Sequence, residues 1–354
     1  MNTHQIDTQN MKKAIYDFPD HLEKALNIGK QFQPKNVFNN IQNIVVTGMG
    51  GSAIGGDICH TLLSDELKVP LIVNRNYSLP HWVNEHTLVI CSSYSGNTEE
   101  TLTAYEDAKA KGAQICGIST GGELIEKLRT DQYDFITTPA GLQPRAALAF
   151  SVVPMLYLLN SQGLIGDSIF DDISDTIDLL RVLRDDYAED NDLNPTHSLA
   201  MSVYQSLPII YGTSGSTSVV ALRWKGQFSE NAEMMAYYNE LPEMNHNEIV
   251  GWENNTEIIE KMSVLWLKDL DENERIQLRQ KITRGIIADK NVNQHIISVS
   301  GSSARIRLLH LIHFGDWVSY WCAIHHNTDP TPVKPIMQLK EELSSKLNKG
   351  IELG

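Results

Sequence analysis

Apolar residues follow two rhythms along this chain of 354 residues. Over residues 8–40 the apolar positions Met11, Ile15, Leu22, Ala25 and Ile28 fall at helical spacing, so this stretch reads as mostly helical. From there short apolar runs alternate with amphipathic ones. Ile44 to Gly48, Leu71 to Val73, Thr87 to Cys91, Gln114 to Ser119 and Phe135 to Thr137 read as buried strands. Gly51 to Leu63 and Thr98 to Lys111 read as the helices between them, and Arg145 to Leu159 as an apolar helix. Such alternation predicts a parallel sheet covered on both faces.

Residues 166–196 are rich in acids, including Asp185, Asp186, Glu189, Asp190 and Asp192, and predict a helix followed by a solvated connector. The first pattern then restarts. Leu207 to Gly212 is a strand running into Thr213-Ser214-Gly215-Ser216, and a helix spans about 219–230. Strands follow at Val264 to Leu267 and Ile296 to Val299, with helices over 271–287, 303–325 and 332–347. Both halves run strand, Gly/Ser loop, helix, which predicts a pseudo-repeat. The expected fold class is α/β, with two subdomains, each a mainly parallel sheet flanked by helices. The expected division is a helical segment 1–40, a first subdomain 41–165, a helical connector 166–196, a second subdomain 197–330 and a terminal helix 331–354.

Composition narrows the partners. The formal charge of −15 repels a phosphate backbone at long range, so nucleic acid is not an expected partner. A small anionic ligand would have to be held by local geometry. The four cysteines, Cys59, Cys91, Cys116 and Cys322, have apolar neighbours and no CxxC spacing, which predicts packed free thiols in a reducing compartment. Met1 to Asp7 is polar, without the apolar core of a signal peptide, and no run approaches a membrane span. A cytoplasmic protein is the expectation.

Two loops carry candidate chemistry. Gly48, Gly50 and Ala53 fit GxGxxA after a strand, the pattern of a dinucleotide site. That reading expects an acid at the end of the next strand, where Asn74-Arg75-Asn76 stands instead. The loop Ser93-Tyr94-Ser95-Gly96-Asn97-Thr98 is more specific. Its hydroxyls follow a buried strand, and Thr98 is placed to cap the next helix. Free N–H groups and the positive helix end then favour a phosphate without any Lys or Arg. Taken alone, the loop could be an unliganded capping turn; two such loops in adjacent βα units favour a site.

These residues resemble a known family. Ser-x-Ser-Gly-x-Thr after a strand, with the earlier Gly-Gly-Ser loop, is similar to the sugar isomerase (SIS) domain. Arg223 to Asn231, Leu241 to Glu248, Gln143-Pro144-Arg145 and Asp329 to Val333 resemble the bifunctional phosphoglucose/phosphomannose isomerases, from about residue 10 to the C-terminus. The resemblance implies an aldose–ketose isomerase that takes hexose 6-phosphates, needs no cofactor or metal, and works as a homodimer. Gly51, Ser52, Ser93, Ser95 and Thr98 would bind the sugar phosphate. Arg145 would sit beside the C1 and C2 oxygens, and Glu230 would move the proton between those carbons. His246, supplied by the partner subunit, would help open the ring, as would Lys340, although Lys334 and Lys346 lie close to it in sequence. A non-catalytic SIS module that binds a sugar phosphate is the alternative.

The residue types suit that chemistry independently. One carboxylate near two carbons can perform both proton steps, a fixed cation can stabilise the developing oxyanion, and a His can shuttle a proton near neutral pH. Glucose and mannose phosphates differ only at C2 and share one enediol, so rotation about C2–C3 gives access to both. Against this stand plainer roles: Glu230 as a solvated acid, His246 as a surface histidine, and Glu243 and Glu248 as structural acids. His310, His313, His325 and His326 share one helical stretch. His310-x-x-His313 could ligate a metal with a third ligand, but without HExxH or a Cys pair, packing or interface histidines are the better reading. The apolar surroundings of that helix predict burial, with a dimer interface as one candidate setting.

Overall fold

The computed structural model describes residues 3–347, so the outer ends of the predicted segments 1–40 and 331–354 lie outside the described residues. Two sheets form. The first holds β1 (Asn43–Thr47), β2 (Leu71–Asn74), β3 (Thr87–Ser92), β4 (Gln114–Ser119) and β5 (Asp134–Thr137), in the order β2-β1-β3-β4-β5. All neighbours are parallel, with Val46 opposite both Val73 and Ile90. The second holds β6 (Leu207–Thr213), β7 (Tyr237–Leu241), β8 (Met262–Leu267) and β9 (Asn293–Ile297), again all parallel, in the order β7-β6-β8-β9. Counted from its own first strand, the second sheet winds 2-1-3-4, the same way as the first. β3 is buried at every position, as a strand covered on both faces must be. The parallel α/β architecture and the repeat of winding thus match the sequence expectation.

Several elements differ. Residues 31–42 are not helical; helices occupy Met11–Tyr16 and Phe18–Lys30, and the chain then runs extended. The backbone N–H groups of Lys35 and Asn36 donate to the Asp134 carboxylate at 3.0 and 2.8 Å, which straps this segment to β5. Helix Gly122–Thr130, short but amphipathic with Leu124, Ile125 and Leu128 buried, was not expected, nor was the edge strand β7, which carries no strong apolar pattern. β9 begins earlier than the apolar run Ile296 to Val299 suggests, because its first residues, Asn293 and Gln294, are polar residues on an edge.

The acidic connector is half buried. Helix Ser168–Tyr187 exposes its acids but buries Ile169, Ile173, Ile177 and Leu180 on the opposite face. One hydrophobic core joins it to the N-terminal helices, the inner face of the first sheet and the helices of the second half. The centre of that core is helix Ala304–His325, whose side chains are buried from Ile306 through Ile324. A dimer interface is therefore not its setting: helices 11–16, 168–187, 195–203 and 218–231 of the same chain cover it. All four cysteines are free and buried, and burial pushes their thiols up. Among the described residues no helix is long and apolar enough to cross a membrane.

The histidines of this helix are packing groups. His310 Nε2 lies 2.7 Å from the Tyr187 hydroxyl and its Nδ1 2.8 Å from the Ser300 carbonyl. His326 Nε2 lies 2.5 Å from the Tyr204 carbonyl, and His325 stacks edge-on against His197. Among the described residues no group of three or more His, Cys, Asp or Glu is placed to hold a metal. His313 is fully buried, with Nε2 3.0 Å from the Ile15 carbonyl and 3.0 Å from Trp317 Nε1. The indole N–H can only donate, so protonating Nε2 sets two donors against each other.

Burial holds the His313 imidazole down from 6.5 to about 3. A depressed histidine contributes stability that is present above its unfolded value and is lost as the pH falls towards the folded one. Between pH 6.5 and 3 each unit should therefore remove up to about 1.4 kcal/mol through this site. Urea unfolding across that range should show a shallower acid slope for His313→Gln than for the parent; equal slopes would refute the assignment.

Candidate active site

Doubly wound sheets bind ligands beyond the carboxyl ends of the strands, where the strand order reverses. In the first sheet that point lies between β1 and β3, and both candidate loops sit there. Helix Gly50–Leu62 begins directly after β1, with its N-cap Met49 offering no side-chain bond, and places Ser52 in its first turn. Gly51 is required by a close approach: a Cβ there would fall 2.6 Å from the Pro144 carbonyl oxygen. The turn holding Arg145 thus packs directly on the first loop.

The second loop is fixed by its own hydroxyls. Ser93 is buried, accepts from the Gly96 N–H at 3.1 Å and lies 2.9 Å from Thr98 Oγ1. Gly96 adopts φ +71°, and a Cβ there would sit 1.9 Å from the Gly121 carbonyl oxygen, so no other residue fits. Asn97 Oδ1 accepts the Glu123 N–H at 3.0 Å, which ties the loop to helix 122–130. Ser95 is exposed. Thr98 holds the N-cap position of helix Glu99–Ala110, but its side chain makes no capping bond; its hydroxyl pairs with Ser93 instead. This corrects the sequence expectation and sharpens it. Two helix starts converge on one switch point with no side-chain cap on either, the arrangement that suits an anion.

Arg145 lies in a separate 3-10 turn, Pro144–Ala146, rather than at the start of the long apolar helix, which begins at Ala149. It is 3 % exposed. Its Nε donates to Asn231 Oδ1 at 2.6 Å, and its Nη2 donates to the carbonyls of Pro330 and Thr331 at 2.5 and 2.9 Å. Nη1 is turned towards Glu230 Oε2, 3.5 Å away. Burial lowers the Arg145 pKa, with Glu230 acting against that shift. Glu230 closes helix Ser218–Asn231, and its side chain keeps 36 % of its surface, enough for a ligand to reach it.

Behind this pair runs a buried polar network that sequence reasoning missed. Asn231 Nδ2 donates to Ser319 Oγ at 2.9 Å. Asp316 accepts from Arg223 at 2.7 Å and from Gln227 at 2.8 Å, while Arg223 also donates to the Arg145 carbonyl at 3.0 Å. Burial pushes the Asp316 carboxyl up, with Arg223 pulling the other way. The available signal was Asp316 itself, a lone acid in the apolar run of helix 304–325.

The structure brings together Gly51, Ser52, the 93–98 loop, Arg145 and Glu230. Ser52, Tyr94, Ser119 and Pro144 line one small cleft between the two loops and the Arg145 turn. His246 is not part of this grouping. It lies exposed in the 3-10 turn Glu243–His246, after the carboxyl end of β7, whereas Glu230 lies before that strand begins. β7 pairs parallel to β6, so the two residues sit at opposite ends of the second sheet. Five residues of strand separate those ends by roughly 16 Å. Glu243 and Glu248 are structural: Glu243 accepts from Asn247 at 2.7 Å, and Glu248 accepts from the hydroxyls of Tyr211 and Tyr237 and from Asn239. Lys340 is exposed in helix Lys334–Leu347, which starts three residues past Thr331.

Two similarly wound parallel sheets, with a pair of uncapped helix starts beside a buried arginine, define the class of SIS-type phosphosugar proteins. A family model described as the bacterial phospho-glucose isomerase C-terminal SIS domain matches residues 192–343. The C-terminal domain of glucosamine-fructose-6-phosphate aminotransferase from Francisella tularensis shares the fold, with a TM-score of 0.69 and 15 % identity over 91 % of this chain and 98 % of that one. The chain belongs to the bifunctional phosphoglucose/phosphomannose isomerase family. It is 44 % identical to the member from Caldicellulosiruptor bescii over 94 % of this chain and 99 % of the relative. It is 36 % identical to the one from Aquifex aeolicus, over 88 % and 95 %.

The geometry separates structural from exposed charge. Arg145→Lys keeps the charge but not the fork that holds Asn231 and two carbonyls, so it should cost on the order of 3 kcal/mol. Glu230→Gln, at a part-exposed site with one long contact, should stay within about 0.5 kcal/mol of the parent. Urea denaturation of both variants checks this; equal stabilities would contradict the described network.

Proposed function

We propose that the chain interconverts glucose 6-phosphate and mannose 6-phosphate with fructose 6-phosphate, by proton transfer through an enediolate. The observation that carries this reading is the accessible Glu230 carboxylate held 3.5 Å from the buried Arg145 guanidinium, beside two uncapped helix starts. The loop 93–98 and Ser52 bind the phosphate at C6. C1 and C2 then lie over the Arg145 and Glu230 pair. Positioning of this kind supplies much of the rate, because the reacting carbons are held against a fixed base.

In the forward direction Glu230 takes the proton from C2 of the open-chain aldose. The electron pair moves into the C1–C2 bond and the C1 oxygen gains negative charge. Arg145 has Nε and Nη2 committed to Asn231 and the chain carbonyls, which leaves Nη1 as the donor facing that oxygen. The hydroxyl proton on O2 passes to O1 within the enediolate, Glu230 returns its proton to C1, and the electron pair left on O2 forms the C2 carbonyl of the ketose. The rigid fork means that Arg145 needs no rearrangement as charge develops. Rotation of the enediolate about C2–C3 lets the same base serve both epimers.

Ring opening needs a group that exchanges a proton with the ring oxygen. His246 and Lys340 fill that role in this reading, with His246 coming from a second copy in a homodimer. The end-to-end separation of Glu230 and His246 within one chain supports that assignment. The site then lies at the seam between a first subdomain (41–165) and a second (197–330), linked by the segment 166–196, in a cytoplasmic enzyme that uses no cofactor. A non-catalytic sugar-phosphate sensor would need no exposed base against a buried cation, so it is the weaker reading.

Glu230→Gln should lower kcat by at least about a thousandfold, the scale of a lost general base, while fructose 6-phosphate affinity by calorimetry changes little. Coupled assays with glucose 6-phosphate and mannose 6-phosphate should fall together. Retained turnover, or loss of only one epimer's activity, would overturn the single-base assignment.

A further inference from the structure

Helix 334–347 stands off the body of the chain, with every side chain from Lys334 to Leu343 exposed. Ile336, Leu339 and Leu343 are 41, 59 and 49 % exposed and fall on one face at i, i+3 and i+7. An isolated helix of this length is marginal in water and draws its stability from an apolar face that is covered. On the other side of the second sheet, helix 274–288 exposes Leu278, Ile282 and Ile286, at 44, 54 and 41 %. With Asn245 and Ile249 these residues line an open groove rimmed by Arg275 and Arg279.

Two connections tie the helix to the groove. Asn245 and Ile249 flank His246, so the groove goes wherever His246 goes. The root of the helix is pinned at the candidate site, because Arg145 holds the carbonyls of Pro330 and Thr331. If a second copy brings His246 to this site, it brings its groove to the root of this helix. We propose that helix 334–347 of one protomer lies in the groove between residues 245–249 and helix 274–288 of its partner, and that the two-fold axis repeats the exchange. The inference rests on the shared-site reading above.

The chemistry of the two surfaces agrees. The apolar face Ile336, Leu339 and Leu343 meets Leu278, Ile282 and Ile286. Glu342, which flanks that face, meets Arg275 and Arg279 on the rim. The exchange clamps each C-terminal helix across the mouth of its own site, which carries Lys340 into place there. It also gives the dimer an apolar centre with a charged rim, the usual anatomy of a specific interface.

Cysteine pairing tests the placement, since all four native cysteines are buried. Leu339→Cys and Ile282→Cys chains, mixed and treated with a short bis-maleimide, should give a covalent heterodimer in high yield. No covalent dimer, or a link formed within one chain of the double variant, would overturn the proposal. Leu343→Glu, at a side chain exposed in the single chain, should weaken dimerisation at least tenfold by sedimentation without altering the far-ultraviolet spectrum; unchanged dimerisation would also overturn it. Mixing Glu230→Gln with His246→Ala chains tests the shared site separately. Restored activity without cross-linking leaves the shared site standing and removes the helix exchange. Cross-linking without restored activity keeps the exchange and removes the role of His246.

Discussion

The guanidinium of Arg145 is where the two halves of this molecule are joined. It sits in a turn packed on the loop after β1 and reaches into the second half to hold Asn231 and the chain carbonyls at 330 and 331. A buried cation is tolerated only where it is paired and its donors are used. Three protein oxygens and the nearby Glu230 carboxylate meet that demand, and the Asp316 network behind them fixes the helix that carries Glu230. The same requirement that makes the arginine stable therefore places a carboxylate beside the two candidate phosphate loops. Structure and chemistry meet in one group.

The repeated winding creates two switch points, and only the first is equipped for an anion. At the equivalent point of the second sheet, Thr213 Oγ1 donates to Glu272 at 2.6 Å, and burial pushes that carboxyl up. The buried Glu272 carboxyl at that point does not favour a second acidic group beside it. The second sheet contributes its other end instead, through the terminus of helix 218–231. In the proposed reading one half holds the phosphate while the other delivers the base, and the long buried helix 304–325 packs between their elements.

Much of this was legible in the sequence because burial leaves a signature. β3 and β4 are apolar runs because both faces are covered, and the loops after β1 and β3 announce themselves by Gly and Ser. What was not legible depended on long-range partners. β7 is an edge strand with Asn239 and Glu240 in it, so no alternation marks it. Arg145 read as the first residue of a long helix, because nothing local shows that its fork closes on residues 86 and 185 positions away. Thr98 read as a cap because its position is right; its hydroxyl is taken by Ser93 across the loop. The remoteness of His246 from Glu230 needed the strand pairing. Motif resemblance suggested roles for these residues that geometry alone does not, and the geometry adds that Glu230 and His246 of one chain lie at opposite ends of the second sheet.

The central claim is that a base at the seam carries a proton between adjacent carbons. Incubating the protein with fructose 6-phosphate in heavy water and following the sugars by NMR tests it directly. Deuterium should accumulate at C2 of both the glucose and the mannose phosphate, and at C1 of the recovered ketose, because the carboxylate exchanges its proton with solvent while the enediolate persists. Full interconversion with no deuterium at either carbon would mean that hydrogen moves without leaving the sugar, and would contradict the account.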